Sequence, residues 1–292
     1  MKSRDLVDLI LLAALWGGSF LFMRISVPEF GAIPMMMVRT ALAGLMLLPL
    51  LILKNHHQIM ISNIVPISIA GVVGSAIPFS LIAYSTLYVT AGFASVLNAA
   101  TPMFAAAVAF FWLGQRMSKI ATSGLLIGIF GVLVLVWDKI GFSGGNVALA
   151  ILAGIGGTLC YGLAANYTKQ KLSKVTPLAI TTGSLLAAAI FLLPLAIYLW
   201  PEKIPSNRAW LNVFLLAVAC TALAQILFFR LIARTGATNA TTVTFLIPVF
   251  GLLWGKLFLN EALELGIIIA GGIILVGTGM TTGMIKIPKK TR

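Results

Sequence analysis

Residues 83–118 and 229–264 carry two versions of one sequence, 146 positions apart. Pro102 falls on Pro248, Asn98 on Thr244, Trp112 on Phe258, and Leu113-Gly114-Gln115 on Leu259-Asn260-Glu261. Nearer the start, at a spacing of 145, Trp16-Gly17 matches Tyr161-Gly162, Arg24 matches Lys169 and Pro49 matches Pro194. A repeat of this length marks duplication of one structural unit. It divides the chain into a first copy, 1–140, and a second, 146–285, within a single membrane domain covering 1–292.

The membrane assignment follows from composition. The chain is 60% apolar and 9% charged, with a mean hydropathy of +1.06. Soluble domains carry about a quarter charged residues. Ten apolar runs, each long enough to cross a bilayer as a helix, lie at 6–23, 34–53, 64–83, 88–112, 119–137, 147–167, 177–200, 209–229, 237–259 and 264–284. Lys2 and Arg4 before the first run imitate a secretory leader, but the run is too long, lacks a small-residue cleavage site and belongs to the repeat.

Five crossings per copy is an odd number, so the second copy enters the membrane from the opposite side. The expected fold is an all-α integral membrane protein: ten transmembrane helices as two inverted five-helix repeats. Charge agrees. The loop after helix four carries Arg116 and Lys119, whereas its counterpart after helix nine carries Glu261 and Glu264.

A net charge of +13 raises the question of nucleic acid, but the positions of the charges answer it differently. With the N-terminus inside, the cytoplasmic segments hold Lys2, Arg4, Lys54, Arg116, Lys119, Lys169, Lys171, Lys174, Arg230, Arg234, Lys286, Lys289, Lys290 and Arg292. The outer segments hold only Arg24, Lys139, Lys203, Arg208 and Lys256. This asymmetry is the positive-inside signature with both termini cytoplasmic, in a cell inner membrane, and no nucleic-acid partner is expected.

Polar and helix-breaking residues at membrane depth are the candidate site. Pro102 in helix four and Pro248 in helix nine each free the carbonyl four residues earlier, on Asn98 and Thr244. Carbonyls left open at that depth need protein, water or ligand. Asn98, Thr101 and Pro102 with Thr241, Thr244 and Pro248 therefore form the candidate centre, the prolines as breaks or hinges; helix shaping alone is the alternative. Helices three and eight add Phe79 and Gln225, the latter a ligand or equally a bond within the bundle. Helices one and six add Trp16, Ser19 and Tyr161, an aromatic wall or ordinary packing, while Asn166 falls near the inner end at headgroup level. Arg39 is the one basic residue well inside a span. Its repeat mate is Ser184 and a long side chain can snorkel, which favours a gating or structural place over a ligand.

No Asp or Glu lies deep in a span, which disfavours a carboxylate-coupled proton antiporter and fits a facilitator or exchanger. Cys160 and Cys220 lack metal-ligand spacing, and His56 and His57 share a short loop. No metal or cofactor is expected, and an intramembrane enzyme would need paired acids, a Ser/His pair or a metal cluster at depth. Gly124-x-x-x-Gly128 and Gly279-x-x-x-Gly283 are candidates for tight helix contacts, at the bundle periphery or across a homodimer face.

The segments LWGGSFLFMR (15–24), MVRTALAGLMLLPL (37–50), TPMFAAAVAFFWLGQRMS (101–118) and IPVFGLLWGKLFLNEAL (247–263) resemble the drug/metabolite transporter superfamily, in its ten-helix EamA-type branch. Leu113-Gly114-Gln115 departs from the Leu-Gly-Glu of that branch, while Leu259-Asn260-Glu261 keeps the acid. The resemblance implies inner-membrane export of small metabolites, amino acids among them, through a cavity bounded by helices one, three, four, six, eight and nine. A carrier for hydrophobic cations and a structural membrane subunit are the rival readings.

Overall fold

The computed structural model describes residues 3–142 and 145–285, and the regular elements among them are helices. Ten helices form the bundle. The first copy supplies α1 (Ser3–Phe30), α2 (Ala32–Leu53), α3 (Ile64–Ser85), α4 (Ala91–Leu113) and α5 (Lys119–Phe142). The second supplies α6 (Gly145–Lys171), α7 (Pro177–Tyr198), α8 (Asn207–Thr235), α9 (Val243–Leu259) and α10 (Leu265–Thr281). Short helices at His57–Ser62 and Ala237–Ala240 precede α3 and α9. The first eight are long and apolar enough to cross a membrane; α9 and α10, 17 residues each, are shorter apolar helices. At 1.5 Å per residue, 17 residues reach about 26 Å, close to the thickness of a hydrocarbon core.

The ten expected runs are the ten helices found. α1 extends further than its apolar run, through Pro28 to Phe30, because a proline in the last turn costs only one hydrogen bond. The chain then reverses on a single residue, Gly31, at φ 73°, a left-handed conformation that glycine adopts without a Cβ penalty. Lys2, Lys286, Lys289, Lys290 and Arg292, counted above as cytoplasmic, lie outside the described residues, as do the side chains of Asp138 and Lys139.

The copies interlock. α1 packs on α9, and its counterpart α6 packs on α4; α2 packs on its own mate α7, and α5 on its mate α10. Glycines make the crossings close. A Cβ on Gly17 would fall 2.6 Å from Phe250 Cβ and 3.0 Å from Gly251 N. A Cβ on Gly162 would fall 2.9 Å from Ala105 N and 3.0 Å from the Phe104 carbonyl carbon. These two contacts exchange when the copies are exchanged. So do Gly131 against Ile274 and Gly277 against Gly128. Gly124 also faces α10, at Met280 and Thr281, so this small-residue stripe is used within the chain and is not a vacant dimer face.

Two further mates bear on function. α3 carries a π turn at Val72–Ala76, and α8 carries one at Val218–Leu223, 146 positions on. π turns widen a helix locally and are common at functional sites. In α8 the Thr221 hydroxyl donates to the Leu216 carbonyl at 2.8 Å, taking up an acceptor the widened turn exposes.

The bundle has two faces. The near face holds the start of α1 and the α2–α3 and α6–α7 connections; there Thr176 Oγ1 meets His56 Nδ1 at 3.3 Å, and Arg234 of α8 pairs with Asp5 and Asp8 of α1. The far face is sealed more heavily. Phe30 stacks edge-on against Trp210 and Trp200, with ring centroids 4.9 and 6.4 Å away. Glu29 accepts from Ser206 N at 2.6 Å and Ser206 Oγ at 3.0 Å. Arg24 donates to the Thr86 and Leu87 carbonyls, the latter at 2.7 Å. The outward faces of the helices present Leu45, Phe111, Phe130, Ile190 and Leu257, as lipid contact requires.

Candidate functional site

A cavity of about 640 Å³ lies between α1, α3, α4, α6, α7, α8 and α9, with Arg39 of α2 in its wall. Its lining includes Ala165, near the end of α6, and Pro177, the first residue of α7, both exposed. At the other extreme it ends on Phe20, Met23 and Arg39, all buried. The chamber therefore opens towards the near face and is blind towards the far face.

Of the residues singled out from the sequence, Trp16, Ser19, Phe79, Asn98, Thr101, Tyr161, Gln225 and Thr244 all line this cavity, and so does Arg39. Thr241, Pro102 and Pro248 do not. The aromatic groups pair along the wall: Trp16 with Phe228 at 5.1 Å between centroids, Phe79 with Tyr161 at 6.1 Å.

The two proline helices behave differently. α4 is interrupted between Asn98 and Thr101, and Pro102 stands in the first turn of the resumed helix, where its missing N–H costs nothing. The Asn98 carbonyl that Pro102 frees is taken by the Thr101 hydroxyl at 2.7 Å, and the neighbouring Ala99 carbonyl accepts from Thr278 Oγ1 at 3.2 Å. α9, by contrast, runs through Pro248 unbroken. Its interruption lies at Thr241–Thr242, between the short Ala237–Ala240 helix and α9. Pro248 is therefore not the break expected of it: its φ suits a helix, and losing one bond leaves the flanking ones to hold the segment. Thr241 belongs to that interruption; its carbonyl accepts from Thr244 Oγ1 at 2.8 Å.

Arg39 does not snorkel. It is 5% exposed, and its Nε donates to Thr221 Oγ1 at 2.9 Å across the cavity wall. Nη1 lies 3.7 and 4.0 Å from the sulfurs of Met36 and Met23, and Cζ sits 3.9 Å over the Phe79 ring. Its repeat mate Ser184 lines the same cavity, so the inverted symmetry does not set Arg39 apart from the centre. Asn166 also departs from expectation. It is 7% exposed, and Nδ2 donates to Ala105 O at 2.8 Å and Gly162 O at 2.9 Å, tying α6 to α4 rather than meeting headgroups.

Sequence reasoning passed over the contribution of α7 and of the π turns. Pro177, Thr181 and Ser184 line the cavity at helical spacing, one face of α7, and Ser75 and Thr221 come from the two π turns. The spacing of Thr181 and Ser184 was a usable signal; the π turns had none beyond Pro78 two residues after the first. No Asp or Glu is among the lining residues, and no cluster of three metal-ligating side chains occurs among the described residues. One guanidinium, two amides, several hydroxyls and an aromatic wall can bind and orient a small molecule; they supply no acid–base pair.

A ten-helix bundle of two interlocked copies around one chamber with polar groups in its wall suits a carrier, and the EamA-like transporter family matches twice, over residues 7–137 and 148–283. The chain belongs to that family. It is thus a multi-pass membrane protein of a transporter family. An "Uncharacterized transporter YvbV" of Bacillus subtilis is 24% identical over 96% of this chain and 91% of its own length. An "Uncharacterized inner membrane transporter YedA" of Escherichia coli is 27% identical over 97% and 93%. A "Probable terminal-alkyne amino-acid exporter" of Streptantibioticus cattleyicolor is 23% identical over 94% and 92%. A solved crystal structure shares the fold at a TM-score of 0.68, with 16% identity over 97% of this chain and 99% of that one. Family and relatives point to a transporter rather than an enzyme.

Proposed function

We propose that this protein is a secondary transporter of the cell inner membrane that exports small polar metabolites, amino acids among them, by alternating access. The observation that carries the reading is the chamber itself: largely apolar and aromatic with polar groups set into its wall, lined from both copies, open to one face and blind to the other. Inverted copies allow the opposite opening by exchange of their conformations. The distribution of basic residues supports an N-terminus inside, and on that reading the near face is cytoplasmic and the chamber opens inward. Loading from the cytoplasm is what export needs. The relative named as an amino-acid exporter supports the substrate class. The two prolines matched in the repeat, Pro102 and Pro248, would let α4 and α9 re-bend as the faces exchange.

The test is flux. Purified protein in liposomes, loaded with a panel of radiolabelled amino acids and related metabolites, is expected to give counterflow of at least one of them. Correctly folded, monodisperse protein that moves none of the panel above empty liposomes would overturn the reading.

A further inference from the structure

We infer that Arg39 is the anchor for a carboxylate on the transported metabolite, an inference that rests on the transport reading above. Arg39 is the most deeply buried charged residue among the described residues, yet no carboxylate lines the cavity into which its guanidinium faces. A guanidinium offers five N–H donors in a planar fork. Here one of them has a good acceptor, Thr221 Oγ1 at 2.9 Å. Nη1 faces only the thioether sulfurs of Met23 and Met36, which are weak acceptors. The Phe79 ring beneath Cζ adds a cation–π contact and holds the plane of the group.

An unpaired charge in a low-dielectric interior is costly unless an opposite charge completes it. A purely structural tie between α2 and α8 would need only the bond to Thr221, which a neutral amide could make without that cost. The fork matches a carboxylate in two parallel hydrogen bonds. Ser19, Ser184 and Tyr161 are in the same cavity as further hydroxyls, and Trp16 and Phe228 offer an apolar wall to the rest of the molecule. A volume of about 640 Å³ suits a small metabolite. The same charge works against the rival cargo: a hydrophobic cation entering this chamber meets a buried positive charge and no acid.

The test uses matched triplets that differ in one group: phenylalanine, phenylalaninamide and phenethylamine, and leucine, leucinamide and 3-methylbutylamine. Chloride, phosphate and acetate serve as competitors. Counterflow is measured in liposomes for wild type, Arg39→Lys and Arg39→Gln, with monodispersity and thermal unfolding recorded for each. The wild type is expected to prefer the carboxylate member of a triplet by about tenfold or more, the scale of one charge-assisted pair. Arg39→Gln is expected to lose that preference, and Arg39→Lys to keep part of it. Wild-type flux of amines or amides equal to that of the acids overturns the role of Arg39 while leaving the transport reading intact. So does inhibition by chloride or phosphate with no effect of acetate, and so does a folded Arg39→Gln that keeps the preference. Absence of any flux removes the transport reading, and this inference falls with it. Should Arg39→Gln not fold, the wild-type triplets and Arg39→Lys still decide.

Discussion

The Glu261 carboxylate accepts the backbone N–H of Ala91 at 2.9 Å, joining residues 170 positions apart, and its second oxygen accepts Gly92 N at 3.2 Å. The acid closes the positive end of α4 from outside its own helix. Gly255 makes the room, since a Cβ there would collide with the carboxylate. The contact lies on the far face, where the chamber is blind.

Removing this seal weakens the closed end. Glu261→Ala is expected to lower stability by about 1–3 kcal/mol, the cost of leaving helix N–H groups without a charged acceptor. Glu261→Gln should cost less, and Gly255→Ala should resemble Glu261→Ala. Thermal unfolding gives the order. A cysteine at Met23 should become more reactive to a membrane-impermeant maleimide added at the far face. Equal reactivity in Glu261→Ala and its parent would show that the contact is not a seal.

Exchange of the two copies carries Glu261–Ala91 onto Gln115–Ala237, at the same spacing of 146. Gln115 is exposed in the present state. Cysteines at 115 and 237 are therefore expected to cross-link when the near face closes, and cysteines at 91 and 261 when it is open. Substrate should move the two yields in opposite directions. Because Gln115 is neutral where Glu261 is charged, the near-face seal should be the weaker one, and the resting protein should favour the inward-open state.

Neighbouring glycines in α1 should respond in opposite ways. Gly17→Ala drives a methyl into α9, 2.6 Å from Phe250 Cβ, and is expected to cost about 1–3 kcal/mol by overpacking. At Gly18 the nearest atoms lie 3.8 Å away, ordinary contact, so Gly18→Ala should be neutral or stabilising by up to about 1 kcal/mol. Gly162→Ala should reproduce Gly17→Ala, because it makes the mate of the same crossing. Thermal unfolding of the three variants in one detergent checks all of this.

Asn166→Leu removes both bonds that Nδ2 makes to Ala105 and Gly162. The expected loss is about 1–3 kcal/mol in stability, from a carbonyl left open at buried depth. Counterflow should fall with the folded fraction and no further, since Asn166 is not on the cavity wall. A change in substrate preference would contradict that placement.

Local chemistry explains which features could be read from the chain. A helix needs about 20 mostly apolar residues to cross hydrocarbon, so the ten spans stand out in composition, and duplication is visible as Pro102 over Pro248 and Trp16-Gly17 over Tyr161-Gly162. Asn98, Thr101, Gln225 and Thr244 could be placed facing a chamber because a polar group at that depth has few other places to go. Other features depend on partners far away in sequence. Arg39 could have snorkelled; Thr221 and Phe79, brought beside it by α8 and α3, hold it inward. Glu261 looked like an acid in a short loop until the N-terminus of α4 arrived beneath it. Pro248 carried the same breaking signal as Pro102, yet the interruptions fell at different places in the two copies. The proline is shared, but its neighbours are not: Asn98-Ala99-Ala100-Thr101 stands before Pro102 and Thr244-Phe245-Leu246-Ile247 before Pro248, so one signal met unlike surroundings in the two copies.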